Sequence, residues 1–125
     1  MSGLHVYMIR VYGFHLDMYG HVNNARYLEF LEEARWELIE DGRGLAYWQD
    51  RGLGFVVASL KIDYRRPVML GTDLQIRSRL VRAGVKRAVL GQRVVDRATG
   101  KCVTDAEVTF AVIDMKTRRP VALTD

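Results

Sequence analysis

Hydrophobic residues recur along this chain with two different periods, which predict one long helix among several strands. Between residues 23 and 41, apolar side chains follow at spacings of four, three and four, at Tyr27, Leu31, Ala34 and Leu38. Those spacings place them on one face of an α-helix. Before and after this segment, apolar residues alternate with polar ones or run together, as strands require. Strands are predicted over residues 5–12, 55–64, 74–80, 86–96 and 101–114.

Capping and turn residues mark the ends of these elements. Asn23 precedes the helical stripe and is a typical N-cap residue. The segment Asp41-Gly42-Arg43-Gly44 ends the helix, because glycine adopts the left-handed conformation that often closes a helix. A short helical turn is predicted over 45–52. One helix among five strands joined by short turns indicates an α+β domain with a mainly antiparallel sheet. The first or last strand is expected at an exposed edge, which favours self-association.

Composition limits the class of protein. The chain has 125 residues, 49% of them hydrophobic and 27% charged, as expected for a single soluble domain over residues 1–125. No apolar run approaches the roughly 20 residues that cross a membrane, and the N-terminus lacks the features of a signal peptide. The lone Cys102 cannot form an internal disulfide. These features predict a cytoplasmic protein without a membrane partner.

Charge is divided unequally between the two halves of the chain. Residues 1–50 contain four Lys and Arg against eight Asp and Glu, whereas residues 51–125 contain fifteen against seven. The basic half suits an anionic ligand, such as one that carries phosphates, or nucleic acid. Alternatively, these cations only solvate the outer face of a sheet, because most of them alternate with apolar residues.

The stretch 16–27, Leu-Asp-Met-Tyr-Gly-His-Val-Asn-Asn-Ala-Arg-Tyr, holds the residues best suited to chemistry. It places Asp17, His21 and two asparagines at the start of the predicted helix. A carboxylate there can act as a general base or as a nucleophile on a carbonyl group. The unpaired N–H groups of the first helical turn can hold the developing oxyanion. The alternative is structural, since Asp and Asn also cap turns and helices.

The same stretch resembles the signature of a known enzyme family. Asp-x-x-Gly-His-Val-Asn-Asn-x-x-Tyr, followed by Glu-x-Ala-Arg at residues 32–35, is similar to the motif of hotdog-fold acyl-CoA thioesterases, especially the 4-hydroxybenzoyl-CoA thioesterase-like branch. The resemblance implies a five-stranded sheet wrapped around one long central helix. It implies hydrolysis of an acyl-CoA without metal or cofactor, coenzyme A being part of the substrate. It also implies a homodimer or homotetramer with active sites at the subunit interface.

The resemblance assigns roles to the motif residues. Asp17 falls on the catalytic acid, and the backbone N–H of Asn24 on the oxyanion donor. His21 would orient the carboxylate or contact the substrate, although it can equally serve only to fix the loop. Tyr27 is expected in the pocket wall or in the core. His15 departs from the family pattern, because relatives often have an acidic residue there.

Cations are needed for the phosphates of a coenzyme A ester. Lys86 and Arg87 follow a predicted turn at Gly84, where relatives often bind the nucleotide, and Arg65 is a second choice. The alternative for each of these three cations is a solvated charge on the surface without a ligand. His15, Asp17 and His21 match no common zinc spacing, so no metal site is predicted.

Two rival functions stay open at this stage, besides a dehydratase or hydratase of the same fold, which the motif matches less well. The motif also resembles acyl-carrier-protein thioesterases built on the same fold. A non-catalytic module that binds acyl-CoA or nucleic acid through the basic half is the other possibility. A nucleic-acid partner is not expected, because the sequence lacks the clustered aromatic and basic residues of single-strand binders.

Overall fold

Residues 3–123 are described in a computed structural model, in which five strands and two helices alternate with short connections. The elements are β1 (His5–Arg10), α1 (Asn24–Asp41), α2 (Leu45–Asp50), β2 (Leu53–Tyr64), β3 (Asp73–Ala83), β4 (Arg87–Asp96) and β5 (Cys102–Asp114). A 3-10 turn occupies Gly13–His15. Every predicted element is present, with its ends shifted by a few residues. No described helix is long and apolar enough to span a membrane.

The five strands form one antiparallel sheet in the order β1-β3-β4-β5-β2. This confirms the predicted α+β hotdog arrangement. The prediction that the first or the last strand lies at an edge is confirmed by β1, whereas β5 lies between β4 and β2. Helix α1 carries the chain across the sheet before β2 begins, so β2 forms the second edge. The strands β3, β4 and β5 then follow one another between β1 and β2.

Helix α1 packs its predicted apolar stripe on one face of the sheet. Tyr27, Leu31 and Ala34 are buried against a cluster that includes Leu74 and Ile76. The helix begins after Asn23, as predicted, since the Asn23 side chain accepts a hydrogen bond from the Ala25 N–H at 2.9 Å. Its end differs in detail from the prediction, because the left-handed glycine is Gly44, with φ +88°, and not Gly42.

A polar network joins α1 to the middle of the sheet. The buried Gln92 side chain donates to the Leu31 carbonyl at 3.1 Å and to Ser78 Oγ at 3.0 Å. Arg35 donates to Gln92 Oε1 at 2.8 Å, and burial lowers the pKa of its guanidinium. Arg35, the last residue of the Glu-x-Ala-Arg segment, therefore ties the helix to β4.

Candidate active site

The segment between β1 and α1 is folded into a tight loop that presents Asp17. Leu16 and Val22 form an antiparallel bridge. Between them, the Asp17 N–H donates to the His21 carbonyl at 2.8 Å, and the Gly20 N–H donates to the Asp17 carbonyl at 3.1 Å. Gly20 has φ +76°, a left-handed conformation that glycine adopts without strain. The Gly20 of the motif is thus needed for the turn.

The two carboxylate oxygens of Asp17 have different surroundings. Oδ1 accepts hydrogen bonds from the Tyr19 N–H at 2.9 Å and the His21 N–H at 3.3 Å. Oδ2 has no hydrogen-bond partner within residues 3–123, and the side chain is half-buried. The turn-capping role and the chemical role predicted for Asp17 are therefore compatible, because each uses a different oxygen.

His15 anchors the loop to the body of the protein. Its ring is buried and packs edge-on against Phe30, with 5.0 Å between ring centroids. Nδ1 accepts a hydrogen bond from the Tyr12 N–H at 2.9 Å, and the His15 carbonyl accepts one from the Asn23 N–H at 2.9 Å. Burial, and then the charge of Arg26, lower the pKa of His15. The residue that departs from the family pattern thus serves as a neutral structural support.

The first turn of α1 includes a backbone donor, the Asn24 N–H, that has no acceptor in the described part of the chain. The Asn23 side chain takes the Ala25 N–H, and the Asn23 carbonyl takes the Arg26 N–H at 2.9 Å. The Asn24 N–H, at the first helical position, has no intrahelical acceptor and finds no other among the described residues. It lies just beyond the bridge that closes the Asp17 loop. The predicted base and the predicted oxyanion donor are thus presented by two adjoining segments.

Tyr64 holds this helical terminus from the side of the sheet. Its hydroxyl donates to the Asn24 carbonyl at 3.2 Å, and its ring lies 5.8 Å from that of Tyr27. Sequence reasoning assigned Tyr64 no function, because its contact with α1 joins residues 40 positions apart in the chain.

Tyr27 lies in the core, one of the two locations predicted for it. It is 2% exposed, and its hydroxyl has no hydrogen-bond partner in the described part of the chain. Burial, followed by the neighbouring Tyr64, raises the pKa of Tyr27 to about 12, so the phenol stays protonated at neutral pH. Contact between Tyr27 and a substrate remains a prediction.

The three predicted phosphate-binding cations lie at opposite ends of the sheet. Arg65 follows Tyr64 directly and lies 3.5 Å from Asp105. Lys86 and Arg87 are exposed at the start of β4. The other end of β4 pairs with the beginning of β3, and that end of the sheet lies beside the loop that holds Asp17. The ten residues of β4 span about 30 Å. A single chain therefore does not bring Lys86 and Arg87 to Asp17.

The remaining side chains offer little for a metal. Within residues 3–123, no group of three or more His, Cys, Asp or Glu could hold an ion. The His21 ring makes no hydrogen bond to Asp17, which is held by the His21 backbone instead. A role for this imidazole toward substrate stays a prediction.

Comparison with known proteins supports the resemblance seen in the motif. The model of the Thioesterase-like superfamily matches residues 13–125. The long-chain acyl-CoA thioesterase FadM of Escherichia coli (strain K12) is 45% identical over 115 residues, covering 92% of this chain and 87% of that protein. The acyl-CoA thioesterase YbgC of Haemophilus influenzae is 31% identical over 119 residues, covering 91% and 84%.

A solved structure agrees with the fold described above. The crystal structure of YbaW, a probable thioesterase from Escherichia coli, superposes with a TM-score of 0.89 at 44% identity, covering 94% of this chain and 89% of that one. The predicted enzyme class, a thioester hydrolase, is confirmed at the level of the family. The chain belongs to the Thioesterase-like superfamily.

Proposed function

We propose that this protein hydrolyses acyl-CoA thioesters to a free acid and coenzyme A, with Asp17 as the reacting carboxylate. One observation carries the proposal. Backbone N–H groups hold Oδ1 of Asp17, while Oδ2 has no partner within residues 3–123. A carboxylate fixed by one oxygen is oriented in advance, and its other oxygen can accept a proton from water or attack the thioester carbon.

The helix N-terminus supplies the second part of the mechanism. As the carbonyl carbon is attacked, negative charge develops on its oxygen, and the Asn24 N–H donates to it. The positive end of the α1 dipole adds to this stabilisation. A donor of this kind contributes about 3–4 kcal/mol to transition-state stabilisation in other enzymes. If Asp17 acts as the base, the thiolate of coenzyme A leaves and takes the proton that Asp17 removed from water. If Asp17 attacks the carbon, the thiolate takes a proton from solvent, and water then hydrolyses the anhydride on Asp17 to the free acid. Neither route requires a cofactor or metal.

The acyl group that this site accepts is proposed to be a long aliphatic chain. The support is the 45% identity to a protein named as a long-chain acyl-CoA thioesterase. Such an ester also explains the basic second half of the chain, where Lys86, Arg87 and Arg65 can pair with phosphates. We place the reaction in the cytoplasm, where coenzyme A esters form.

A homodimer or homotetramer completes the site in this proposal. The edge strand β2 runs from Leu53 to Tyr64, and Tyr64 touches the start of α1. If two copies pair their β2 edges antiparallel about a twofold axis, the Tyr64 end of one lies beside the Leu53 end of the other. The same rotation brings the β4 start of the second copy, with Lys86 and Arg87, toward Asp17 of the first.

The test is thiol release from acyl-CoAs of increasing chain length by wild type and by Asp17→Asn. Asparagine keeps Oδ1 as an acceptor for the Tyr19 and His21 amides, so the loop is preserved while the carboxylate is lost. Turnover should fall by about 10²–10⁴-fold. The matched control is Asp50→Asn, at the exposed end of α2, which should keep wild-type turnover.

Three results would count against the proposal. Near-normal turnover by Asp17→Asn would remove the carboxylate from the mechanism. A wild type that cleaves acyl-carrier-protein esters but no acyl-CoA would identify the carrier protein as the substrate, and binding without cleavage of either would identify a non-catalytic module.

A further inference from the structure

Five cations lie at the end of the sheet opposite Asp17, where α2 meets the turn that follows β5. We call this group the cationic cluster, and its members are Arg43, Arg51, Lys116, Arg118 and Arg119, all exposed. None of the five forms an ion pair within residues 3–123. Four of them are arginines, whose planar guanidinium groups match the oxygens of phosphates.

Backbone pairing holds the two segments of the cationic cluster together. Leu53, the first residue of β2, pairs with Asp114, the last residue of β5. Next to this pair, the Met115 N–H donates to the Gly52 carbonyl at 2.8 Å. Arg51 is therefore a neighbour of the turn after β5, although the two are far apart in the sequence.

Two of the arginines share one aromatic ring. The Cζ atom of Arg51 lies 3.5 Å from the centroid of the Tyr47 ring, and that of Arg43 lies 4.7 Å from it. Arg51 also donates to the Tyr47 carbonyl at 2.9 Å. The ring thus keeps two positive charges no more than about 8 Å apart, a separation at which salt screens them only partly. An anion between the two guanidinium groups reduces their repulsion, so this geometry favours an anionic ligand.

Arg118 is held in a strained backbone conformation. Its φ of +63° is the one positive value at a residue other than glycine in the described part of the chain. A side chain in this left-handed region destabilises the fold, and such strain is concentrated at functional sites. The turn itself is well bonded, since the Asp114 carboxylate accepts the N–H groups of Lys116 at 2.8 Å and Thr117 at 3.1 Å. An arginine at the strained position therefore indicates a use for its side chain.

The charge of this region is positive, and the region is separate from the cations proposed above for the acyl-CoA ester. Residues 41–53 and 114–119 contain five cations against three acids. After Arg119 the chain runs along β5 and away from the cluster, until the Leu123 N–H donates to the Val85 carbonyl at 2.7 Å. Lys86, which follows Val85, therefore lies at the other end of this tail.

We propose that the cationic cluster binds the polyphosphate of a nucleotide, at a site separate from Lys86 and Arg87. The inference goes beyond the proposed thioesterase function, because binding here needs neither Asp17 nor an acyl group. A diphosphate or triphosphate carries enough oxygens to pair with several guanidinium groups at once. Free nucleotides and the nucleotide part of coenzyme A share this chemistry, so the experiment compares the two sources.

The first test measures binding of ATP, pyrophosphate and coenzyme A by isothermal titration calorimetry. Arg51→Gln and Arg118→Gly each remove one charged hydrogen-bonding group, so the affinity for ATP and for pyrophosphate should fall about tenfold in each variant. Added salt should weaken binding to wild type. Arg77→Gln, at an exposed arginine of β3 outside the cluster, is the matched control and should bind ATP as wild type does.

The second test identifies the source of the phosphates. Lys86→Gln should weaken the binding of coenzyme A and leave the affinity for ATP unchanged, whereas Arg51→Gln should do the reverse. If ATP does not bind and Arg51→Gln weakens coenzyme A instead, the cluster belongs to the substrate site, and its separation from Lys86 is overturned.

Thermal denaturation of Arg118→Gly tests whether the strain serves binding. Glycine adopts a positive φ without strain, so the Tm should rise by a few degrees while the affinity for ATP falls. A residue that only supports the fold would give a lower Tm on replacement. A lower Tm with unchanged affinity would therefore remove Arg118 from the site.

The remaining outcomes decide the inference independently of the proposed enzyme activity. A wild type that binds neither ATP, pyrophosphate nor coenzyme A would overturn the site. Equal affinities of wild type and both cluster variants would overturn its location. None of these measurements reads thioester hydrolysis, so a protein without thioesterase activity would overturn the proposed function and leave this inference standing.

Discussion

At the scale of single residues, the site depends on a few backbone hydrogen bonds that set side chains in place. Two N–H groups fix one oxygen of Asp17, and the Tyr64 hydroxyl fixes the carbonyl of Asn24. The place of Asp17 before a helix start and of Asn24 at it could be predicted from the order of residues, whereas their proposed roles come from the motif resemblance. The role of Tyr64 could not be predicted, since it follows from a contact across 40 positions.

Removing the Tyr64 hydroxyl tests this contact. Tyr64→Phe keeps the ring beside Tyr27 but frees the Asn24 carbonyl, so unfolding free energy should fall by about 0.5–1.5 kcal/mol. Without this bond the proposed oxyanion donor, the Asn24 N–H, should be displaced, which should lower kcat by roughly threefold to tenfold. Chemical denaturation and steady-state kinetics measure both effects. Tyr12→Phe, at an exposed ring, is the control, and equal kinetics of the two variants would contradict a positioning role.

The pH dependence of stability should report the neutral state of His15. The pKa of His15 in the folded chain is lowered by burial and by Arg26. At a pH between this lowered value and 6.5, His15 is therefore protonated in the unfolded chain but neutral in the folded one. Stability from this group is complete above about pH 6.5 and is lost as pH falls toward the folded value. The slope is at most about 1.4 kcal/mol per pH unit.

Urea denaturation at pH 7.5 and pH 5.5 measures this effect against His15→Asn. The asparagine oxygen can accept the Tyr12 N–H in place of Nδ1, and it does not titrate in this range. The variant should therefore lose less stability on acidification than wild type does. An identical loss in both proteins would show that His15 is not the group responsible.

At the scale of elements, the start of α1 combines a helix cap with the proposed oxyanion donor. Asn23 caps the helix through the Ala25 N–H, and the Asn24 N–H between these two residues has no acceptor within residues 3–123. The sequence predicted this boundary correctly, because the cap residue and the apolar period agree. The sequence did not predict that β2 lies at an edge of the sheet, because strand order depends on where α1 crosses.

Loss of the Asn23 cap should lower both the stability of the protein and its turnover. Asn23→Ala should lower unfolding free energy by about 1 kcal/mol and should reduce turnover, because the first turn frays around Asn24. Asn23→Asp retains an oxygen acceptor for the Ala25 N–H and should keep most of the unfolding free energy and of the turnover. Thermal denaturation and kcat are the measurements, and a turnover unaffected by Asn23→Ala would remove the first turn from the oxyanion site.

At the scale of the whole molecule, one chain keeps the proposed carboxylate far from the cations proposed to bind phosphate. Asp17 lies at one end of the sheet, whereas Lys86 and Arg87 lie at the other. The edge strand β2 exposes Val56 and Val57, at 42% and 45%, so it offers apolar surface beside unpaired backbone groups. Such an edge favours association with a second chain.

A charge on this edge should separate the subunits. Val57→Lys places like charges at the proposed twofold contact, so light scattering after gel filtration should show a smaller species, and acyl-CoA hydrolysis should fall with it. Val81→Lys, at a residue 47% exposed on the interior strand β3, is the matched control and should keep the native mass. A native mass for both variants would place the interface elsewhere.

The sequence by itself determined the elements, the faces they bury, and the position of Asp17 before a capped helix, because all of these are encoded by residues close together in the chain. The tertiary structure decided the strand order, the bond from Tyr64 to Asn24, the burial of Tyr27 and the distance between Lys86 and Asp17. These properties depend on pairing between distant segments, where the same local pattern is compatible with several arrangements and packing selects one.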